Sequence, residues 1–96
     1  MRAAYRELVT ERANRLVRKE TTRLRFLVKK YPEVKELQRE IEGFYAEFEW
    51  GPDYARESKR ELRRWLAAGD DIEALLLRWE PGHASEIVET EMRRWQ

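Results

Sequence analysis

The chain has 96 residues, of which 42% are hydrophobic and 41% charged, and its net charge is only +1. That length suits one domain, residues 1–96, and the apolar share is high enough to argue against disorder. The absence of cysteine excludes disulfides, thiolate nucleophiles and cysteine-ligated zinc or iron–sulfur sites. With no apolar leader and no apolar run near the roughly 20 residues of a membrane span, we expect a cytoplasmic protein that does not enter membranes.

Glutamate, arginine and lysine are abundant, whereas the amide side chains are confined to Asn14, Gln38 and Gln96. This composition is typical of thermophile proteins. A GC-rich genome with an arginine bias gives a similar sequence, so we expect a hot or GC-rich microbial source, viruses included.

Apolar residues recur at spacings of three and four along most of the chain, a period that predicts helices throughout. The first helix is predicted over about residues 3–30, and Tyr31 ends it because the residue before a proline avoids the helical conformation. Proline can occupy the first position of a helix, so the second helix is predicted from Pro32 to about residue 49. The glycine and proline at residues 51–52 then break the chain.

The third helix is predicted to begin after that break and to end at Gly69, a natural C-terminal cap. Asp70 and Asp71 suit the start of a fourth helix, where the positive end of the helix dipole favours carboxylates. Pro81-Gly82 is predicted to end this short helix, and a fifth helix follows. The fifth helix has one apolar face, made by Ala84, Ile87, Val88, Met92 and Trp95. The sequence therefore predicts an all-α fold, a compact bundle of about five helices with a long N-terminal helix.

The small net charge conceals a strong alternation along the chain. Residues 1–30 carry a net charge of +7 and residues 31–52 carry −4. Residues 53–68 carry +2, and residues 69–96 carry −4. The first and third helices are therefore basic, whereas the second helix and the end of the chain are acidic.

Five cations of the first helix, which we call the basic ridge, follow one edge of its core-facing side: Arg12, Arg15, Lys19, Arg23 and Lys30. The third helix presents a smaller row on one side, made by Arg56, Lys59 and Arg63. Evenly spaced cations on a rigid helix can neutralise successive phosphates, and arginine grips a phosphate with two hydrogen bonds. The alternative is pairing within the protein, because the second helix carries a stripe of carboxylates at Glu33, Glu36, Glu40 and Glu47.

Three large apolar residues fall outside the predicted core faces. Leu8 and Phe26 lie on the basic side of the first helix, and Leu77 lies on the outer side of the fourth. An aromatic ring among cations can stack on unpaired bases. Such residues can also form an interface with another protein, or be covered by a neighbouring helix. These positions are therefore candidate partner contacts, with burial inside the bundle as the alternative.

No constellation of residues points to catalysis, a cofactor or a metal. His83 is the only histidine, and the nearby hydroxyl of Ser85 has no third group to complete a nucleophilic site. Capping of the fifth helix is the preferred interpretation of this pair. Phosphate-loop and zinc-binding motifs are absent, and carboxylates on successive turns of the second helix splay apart instead of converging on a cation.

We therefore expect a non-catalytic accessory subunit that contacts a nucleic-acid backbone, without reading its sequence, within a larger nucleoprotein assembly. The fourth helix begins with carboxylates, so it is not expected to enter a groove and read bases. The alternative is a small protein-interaction module, either a regulator or inhibitor or a self-assembling scaffold, that binds an acidic protein surface and no nucleic acid. In either case we expect the chain to act in a homo- or hetero-oligomer.

Overall fold

The structure is a computed structural model that describes the backbone of residues 2–94 and the side chains of 3–79 and 82–94. Within these residues the chain forms four helices and no strand: α1 (Arg2–Lys30), α2 (Val34–Ala46), α3 (Pro52–Ala68) and α4 (Ile72–Arg93). The all-α class and the long N-terminal helix are thus confirmed. Trp95, which the sequence places on the last apolar face, lies outside the described residues.

The main difference from prediction is at Pro81, where α4 continues instead of dividing into two helices. Proline in a helix interior removes one hydrogen bond and costs about 3 kcal/mol. Both halves of α4 offset this cost by burying apolar residues in clusters shared with α1, such as Leu76 before the proline and Ile87 after it. Each such side chain contributes about 1.5–3 kcal/mol on full burial. His83 and Ser85 therefore lie inside a helix, and the capping role predicted for them is wrong.

Helix α2 is shorter than predicted, since it begins at Val34 instead of Pro32 and ends at Ala46 instead of near residue 49. Most of the other helix boundaries follow the glycines, prolines and aspartates of the sequence. Gly51 has a φ of 100° just before Pro52 in the first turn of α3, and Gly69 has a left-handed φ of 71° at the C-terminal cap. Both angles favour glycine, which has no Cβ to clash with the backbone. The Asp71 carboxylate accepts a hydrogen bond from the Ala74 amide at 3.3 Å, so it caps α4 as predicted.

The two long helices α1 and α4 run antiparallel along a molecule of 48 × 22 × 19 Å. The hydroxyl of Tyr5, near the start of α1, donates to Glu91, near the end of α4, at 3.1 Å. The shorter helices α2 and α3 pack at the other end of this pair, where Leu37 and Leu62 join the core. The molecule therefore has a four-helix end and a narrower two-helix end.

Each end has its own apolar cluster. The four-helix end buries Leu24, Leu27, Leu37, Ile41, Tyr45, Ala55, Leu62, Ile72, Leu76 and Trp79. The two-helix end buries Val9, Ala13, Val17, Ala84, Ile87 and Val88. Within residues 2–94, no helix is both long enough and apolar enough to span a bilayer.

Candidate functional site

All five cations of the basic ridge lie on the exposed surface of α1. Its end members, Arg12 and Lys30, are 18 residues apart, which corresponds to about 27 Å at about 1.5 Å per helical residue. The structure therefore brings the predicted set together as one continuous row along the long axis of the molecule.

Carboxylates of the protein do little to neutralise the basic ridge. Its one ion pair among the described side chains joins Lys19 Nζ to Glu49 Oε1 at 3.9 Å, with 69% and 55% of the two side chains exposed. Arg12 lies instead over an aromatic ring, with its guanidinium carbon 4.9 Å from the centre of Trp50. Among the described side chains, the acidic stripe of α2 makes no ion pair with the ridge. Four of the five ridge cations thus have no carboxylate within 4.0 Å in the part of the chain that is described.

The cations of α3 are engaged differently. Lys59 Nζ donates to Glu42 Oε2 at 3.1 Å, and Arg63 donates to the other oxygen of the same carboxylate. These two cations, Arg63 most strongly, hold the pKa of Glu42 below its usual value. Arg56 pairs with Asp53 at 3.0 Å. Each cation of the second predicted row is therefore already paired with a carboxylate of the protein.

An open groove of about 870 Å³, which we call the α1–α2 groove, lies between the basic ridge and α2. From α1 it is lined chiefly by Arg15, Lys19, Thr22, Arg23 and Phe26. From α2 and the turn that follows it is lined chiefly by Glu40, Gly43, Phe44, Glu47 and Phe48. The two walls thus carry opposite charges, and aromatic rings lie among them.

The three apolar residues predicted outside the core are all exposed. Leu8 is 65% exposed, Leu77 is 57% exposed and Phe26 is 48% exposed, so no helix of the bundle covers them. The cationic groups of Arg23 and Lys30 lie 5.1 and 5.6 Å from the centre of the Phe26 ring. Phe26 therefore belongs to the same surface as the basic ridge, whereas Leu77 lies on another helix.

A buried polar cluster, which the sequence patterns did not reveal, joins all four helices. We call it the Glu20 cluster, and its members are Glu20 from α1, Tyr45 from α2, Tyr54 and Ser58 from α3, and His83 from α4. Glu20 is completely buried, and Ser58 and Tyr45 are 1% and 4% exposed. A charged residue so deep in a core normally has an ionic partner. Among the described residues, Glu20 has none.

Hydroxyl groups take the place of a cation around Glu20. Tyr45 donates a hydrogen bond to Oε2 of the Glu20 carboxyl group, and Tyr54 donates to Oε1 at 2.7 Å. The same Tyr54 hydroxyl lies 2.9 Å from Nδ1 of His83. It therefore connects the carboxyl group of α1 to the imidazole of α4.

Burial dominates the titration of the Glu20 cluster. It raises the pKa of Glu20 to about 7, although hydrogen bonds from the two tyrosines act in the opposite direction. It lowers the pKa of His83 to about 3, so the imidazole is neutral at physiological pH. The cluster can therefore bind or release one proton near neutral pH. Because Glu20 has no exposed surface, a ligand on the surface of the protein does not contact its carboxyl group directly.

One signal of this cluster is present in the sequence. Glu20 occupies a core position of α1, four residues after Leu16 and four residues before Leu24. Its tyrosine partners are 25 and 34 residues away along the chain, and no local pattern connects them to it. A glutamate in an apolar register therefore signals a buried polar site without identifying the partners.

Among the described side chains, no group of three or more histidines and carboxylates converges in a way that could hold a metal ion. The accessible features of the molecule are therefore the basic ridge, the α1–α2 groove and the exposed apolar side chains. No family model, curated protein or solved structure matches the chain, so its function has to be inferred from the geometry of its own residues.

Proposed function

We propose that the protein is a non-catalytic cytoplasmic accessory subunit that contacts a nucleic-acid backbone through the basic ridge within a larger nucleoprotein assembly. The observation that carries this proposal is the contrast between two basic helices. Four ridge cations of α1 have no carboxylate within 4.0 Å among the described side chains, whereas the predicted cations of α3 all have one. Exposed cations without a carboxylate partner on a rigid helix suit an acidic ligand from outside.

A polyphosphate backbone matches the shape of this surface. One strand of a nucleic acid carries one charge per about 3.4 Å in helical geometry, so a row of about 27 Å can face about eight phosphates of a single strand. Five phosphate contacts give a slope of log affinity against log salt of about −3.5 to −4.5. Binding should then weaken by about 100- to 500-fold between 50 and 200 mM salt.

Ion pairs within the protein make the cations of α3 weaker candidates for phosphate binding than those of the ridge. Lys59 and Arg63 would have to leave Glu42 before they could contact a phosphate. Arg56 would have to leave Asp53. The proposal therefore rests on α1, with these three cations as weaker secondary contacts.

Charge reversal on the ridge tests this function. In the variant R15E/K19E/R23E, each reversal changes the net charge by −2, which takes it from +1 to −5. We expect its affinity for labelled oligonucleotides, measured by fluorescence anisotropy at about 50 mM salt, to fall by at least about 100-fold. Circular dichroism and thermal melting check that the variant remains folded.

A control variant with the same net charge separates the ridge from the overall charge. R60E/R64E/R78E also reverses three exposed arginines, on α3 and α4. We expect its affinity to fall by no more than about tenfold, because only long-range attraction is lost. Equal losses in the two variants, or no loss in the ridge variant, would show that the ridge is not the binding surface.

The exposed apolar side chains favour a second candidate, a protein-interaction module that binds no nucleic acid. Leu77 is 57% exposed on α4, away from the basic ridge. In this case we expect the protein to form an oligomer that Leu77→Lys dissociates, as sedimentation velocity would show. The same substitution should change the free energy of unfolding of the monomer by less than about 0.5 kcal/mol, because the position is exposed. An unchanged assembly would exclude this face.

A further inference from the structure

The neighbours of the basic ridge restrict the form of nucleic acid that it can hold. On one side of the ridge the α1–α2 groove opens, and the far wall of that groove carries Glu40 and Glu47. Neither carboxylate has an ion pair among the described side chains. A ligand on the ridge therefore meets cations and, immediately beside them, anions without partners.

A duplex fits this surface poorly. Its two strands place phosphates all around its axis, and its major groove alone is about 12 Å wide. The protein is only 22 × 19 Å in cross-section, so a duplex on the ridge would also extend over α2. Its second strand would then approach Glu40 and Glu47, and the repulsion would offset part of the attraction to the ridge.

A single strand avoids this repulsion, because its phosphates and bases can lie on opposite sides. The groove beside the ridge has the lining that bases need. Phe26 is 48% exposed, and Phe44 and Phe48 are half-buried in the same groove. Gly43 leaves the α2 wall open, since a Cβ built there would meet nothing within 4 Å. Base stacking on aromatic rings contributes about 1–3 kcal/mol per base and tolerates any sequence.

We infer that the ligand of this surface is single-stranded nucleic acid, with its phosphates on the basic ridge and its bases turned into the α1–α2 groove against Phe26. This inference rests on the proposed function and adds the substrate class to it. The guanidinium of Arg23 lies 5.1 Å from the centre of the Phe26 ring, so a base stacked there would also adjoin a phosphate-binding cation. The carboxylates of α2 act as a barrier to duplexes.

The test compares a labelled 12-nucleotide single strand, as DNA and as RNA, with the duplex of the same sequence at about 100 mM salt. We expect the wild-type protein to bind the single strands at least about tenfold more tightly than the duplex. Phe26→Ala should weaken single-strand binding by about five- to 150-fold, which corresponds to the loss of one stacked base. Phe26→Tyr, which keeps the ring, should retain most of the affinity. Duplex binding should change by less than about threefold in both variants.

Three further variants check the groove itself. Gly43→Leu places a side chain in the open groove and improves the helix propensity of α2, so it should weaken single-strand binding without unfolding the protein. E40Q/E47Q should strengthen duplex binding and so reduce the difference in affinity between single strand and duplex. Leu77→Ala, at an exposed position on α4 away from the groove, should change neither the single-strand nor the duplex affinity.

The outcomes separate the inference from the function on which it rests. Equal affinity for single strand and duplex, with Phe26→Ala silent, overturns the inference and leaves the basic ridge as a backbone-binding surface. The absence of salt-sensitive binding to either form overturns the proposed function as well. A wild-type dimer that Gly43→Leu dissociates would show that a second copy of the chain fills the groove, and this too overturns the inference.

Discussion

Helix α1 carries charges without ionic partners on two of its sides, and water determines what each of them can do. On the outer side, cations of the basic ridge such as Arg15 are exposed and solvated, so their lack of carboxylates costs little and leaves them free for a ligand. On the inner side, Glu20 is completely buried without a cation, and its pKa rises to about 7. An unpaired charge is thus a binding group at the surface and a titrating group in the core.

The largest expected effect is the pH dependence of the free energy of unfolding, which the buried Glu20 and His83 determine. Folding raises the pKa of the Glu20 carboxyl group from 4.5 to about 7, so its contribution to stability is complete below pH 4.5 and is lost as the pH rises through 7. His83 acts in the opposite direction, because its pKa falls from 6.5 to about 3 on folding. Its contribution is complete above pH 6.5 and is lost as the pH falls towards 3. Between pH 4.5 and 6.5 the two slopes oppose each other.

Substitutions of Glu20 and of His83 should separate the two pH dependences of the free energy of unfolding. In His83→Phe, where Glu20 titrates alone, the free energy of unfolding should fall by about 3 kcal/mol between about pH 4 and pH 8. In Glu20→Gln, where His83 titrates alone, stability should rise with pH between about pH 3 and 6.5. Urea unfolding across a pH series measures both profiles. Two variants with parallel profiles would mean that these groups do not titrate as the burial of the cluster requires.

A somewhat smaller loss of stability is expected when a hydroxyl group that donates a hydrogen bond to Glu20 is removed. Tyr45→Phe removes the hydrogen bond to Oε2 of Glu20 and keeps the ring. A hydrogen bond to a charged group contributes about 1.5–3 kcal/mol and one to a neutral group about 0.5–1.5 kcal/mol. We therefore expect a loss of about 2 kcal/mol at pH 8, where Glu20 is ionised, and about 1 kcal/mol at pH 5.

The matched control for this variant is Tyr31→Phe. The hydroxyl of Tyr31 makes no hydrogen bond within the described residues, and its ring lies near Lys30. We expect its free energy of unfolding to change by less than about 0.5 kcal/mol at either pH. If Tyr45→Phe costs the same at pH 5 and pH 8, the hydroxyl does not stabilise the ionised carboxylate.

The ends of α1 and α3, the start of α4 and the exposed face of α1 could be predicted because local rules determine them, whereas α2 is shorter at both ends than predicted. Gly69 ends α3 and Asp71 begins α4 through contacts within a few residues, and the basic ridge follows from helical spacing alone. The predicted break at Pro81 failed because burial on both sides of the proline, a tertiary effect, outweighs the local penalty. The partners of Glu20 come from α2 and α3, and His83 of α4 joins the cluster through Tyr54, so only the fold brings these residues together.

Ion pairs between helices could be predicted only in part. The sequence gives the net charge of each helix, but it does not show which cation pairs with which carboxylate. Pairing of the acidic stripe of α2 with α1 was the alternative to an external ligand, and it is absent among the described side chains. Instead Glu42, which is not in that stripe, pairs with Lys59 and Arg63 of α3. The sequence therefore predicts how much charge each helix carries, and the rotation of α2 decides which cations are neutralised. Only the fold distinguishes α1, with its free cations, from α3.

The smallest expected change in stability comes from a substitution that tests this difference between the cations of α1 and α3. Glu42→Gln removes the carboxylate from Lys59 and Arg63, whose side chains are then as free as those of the ridge. Because 44% of the Glu42 side chain is exposed, we expect a loss of only about 0.5 kcal/mol in the free energy of unfolding at pH 7. The pKa of Glu42 is lowered in the folded protein, so this stabilisation is present above pH 4.5 and should vanish as the pH falls below it.

If the ion pairs with Glu42 prevent Lys59 and Arg63 from contacting phosphates, Glu42→Gln should also strengthen nucleic-acid binding by about three- to tenfold and steepen its salt dependence. Glu33→Gln removes one exposed carboxylate that pairs with no cation among the described side chains, so it should leave both stability and affinity nearly unchanged. Equal effects of the two substitutions would contradict the role assigned to the pairing of Glu42.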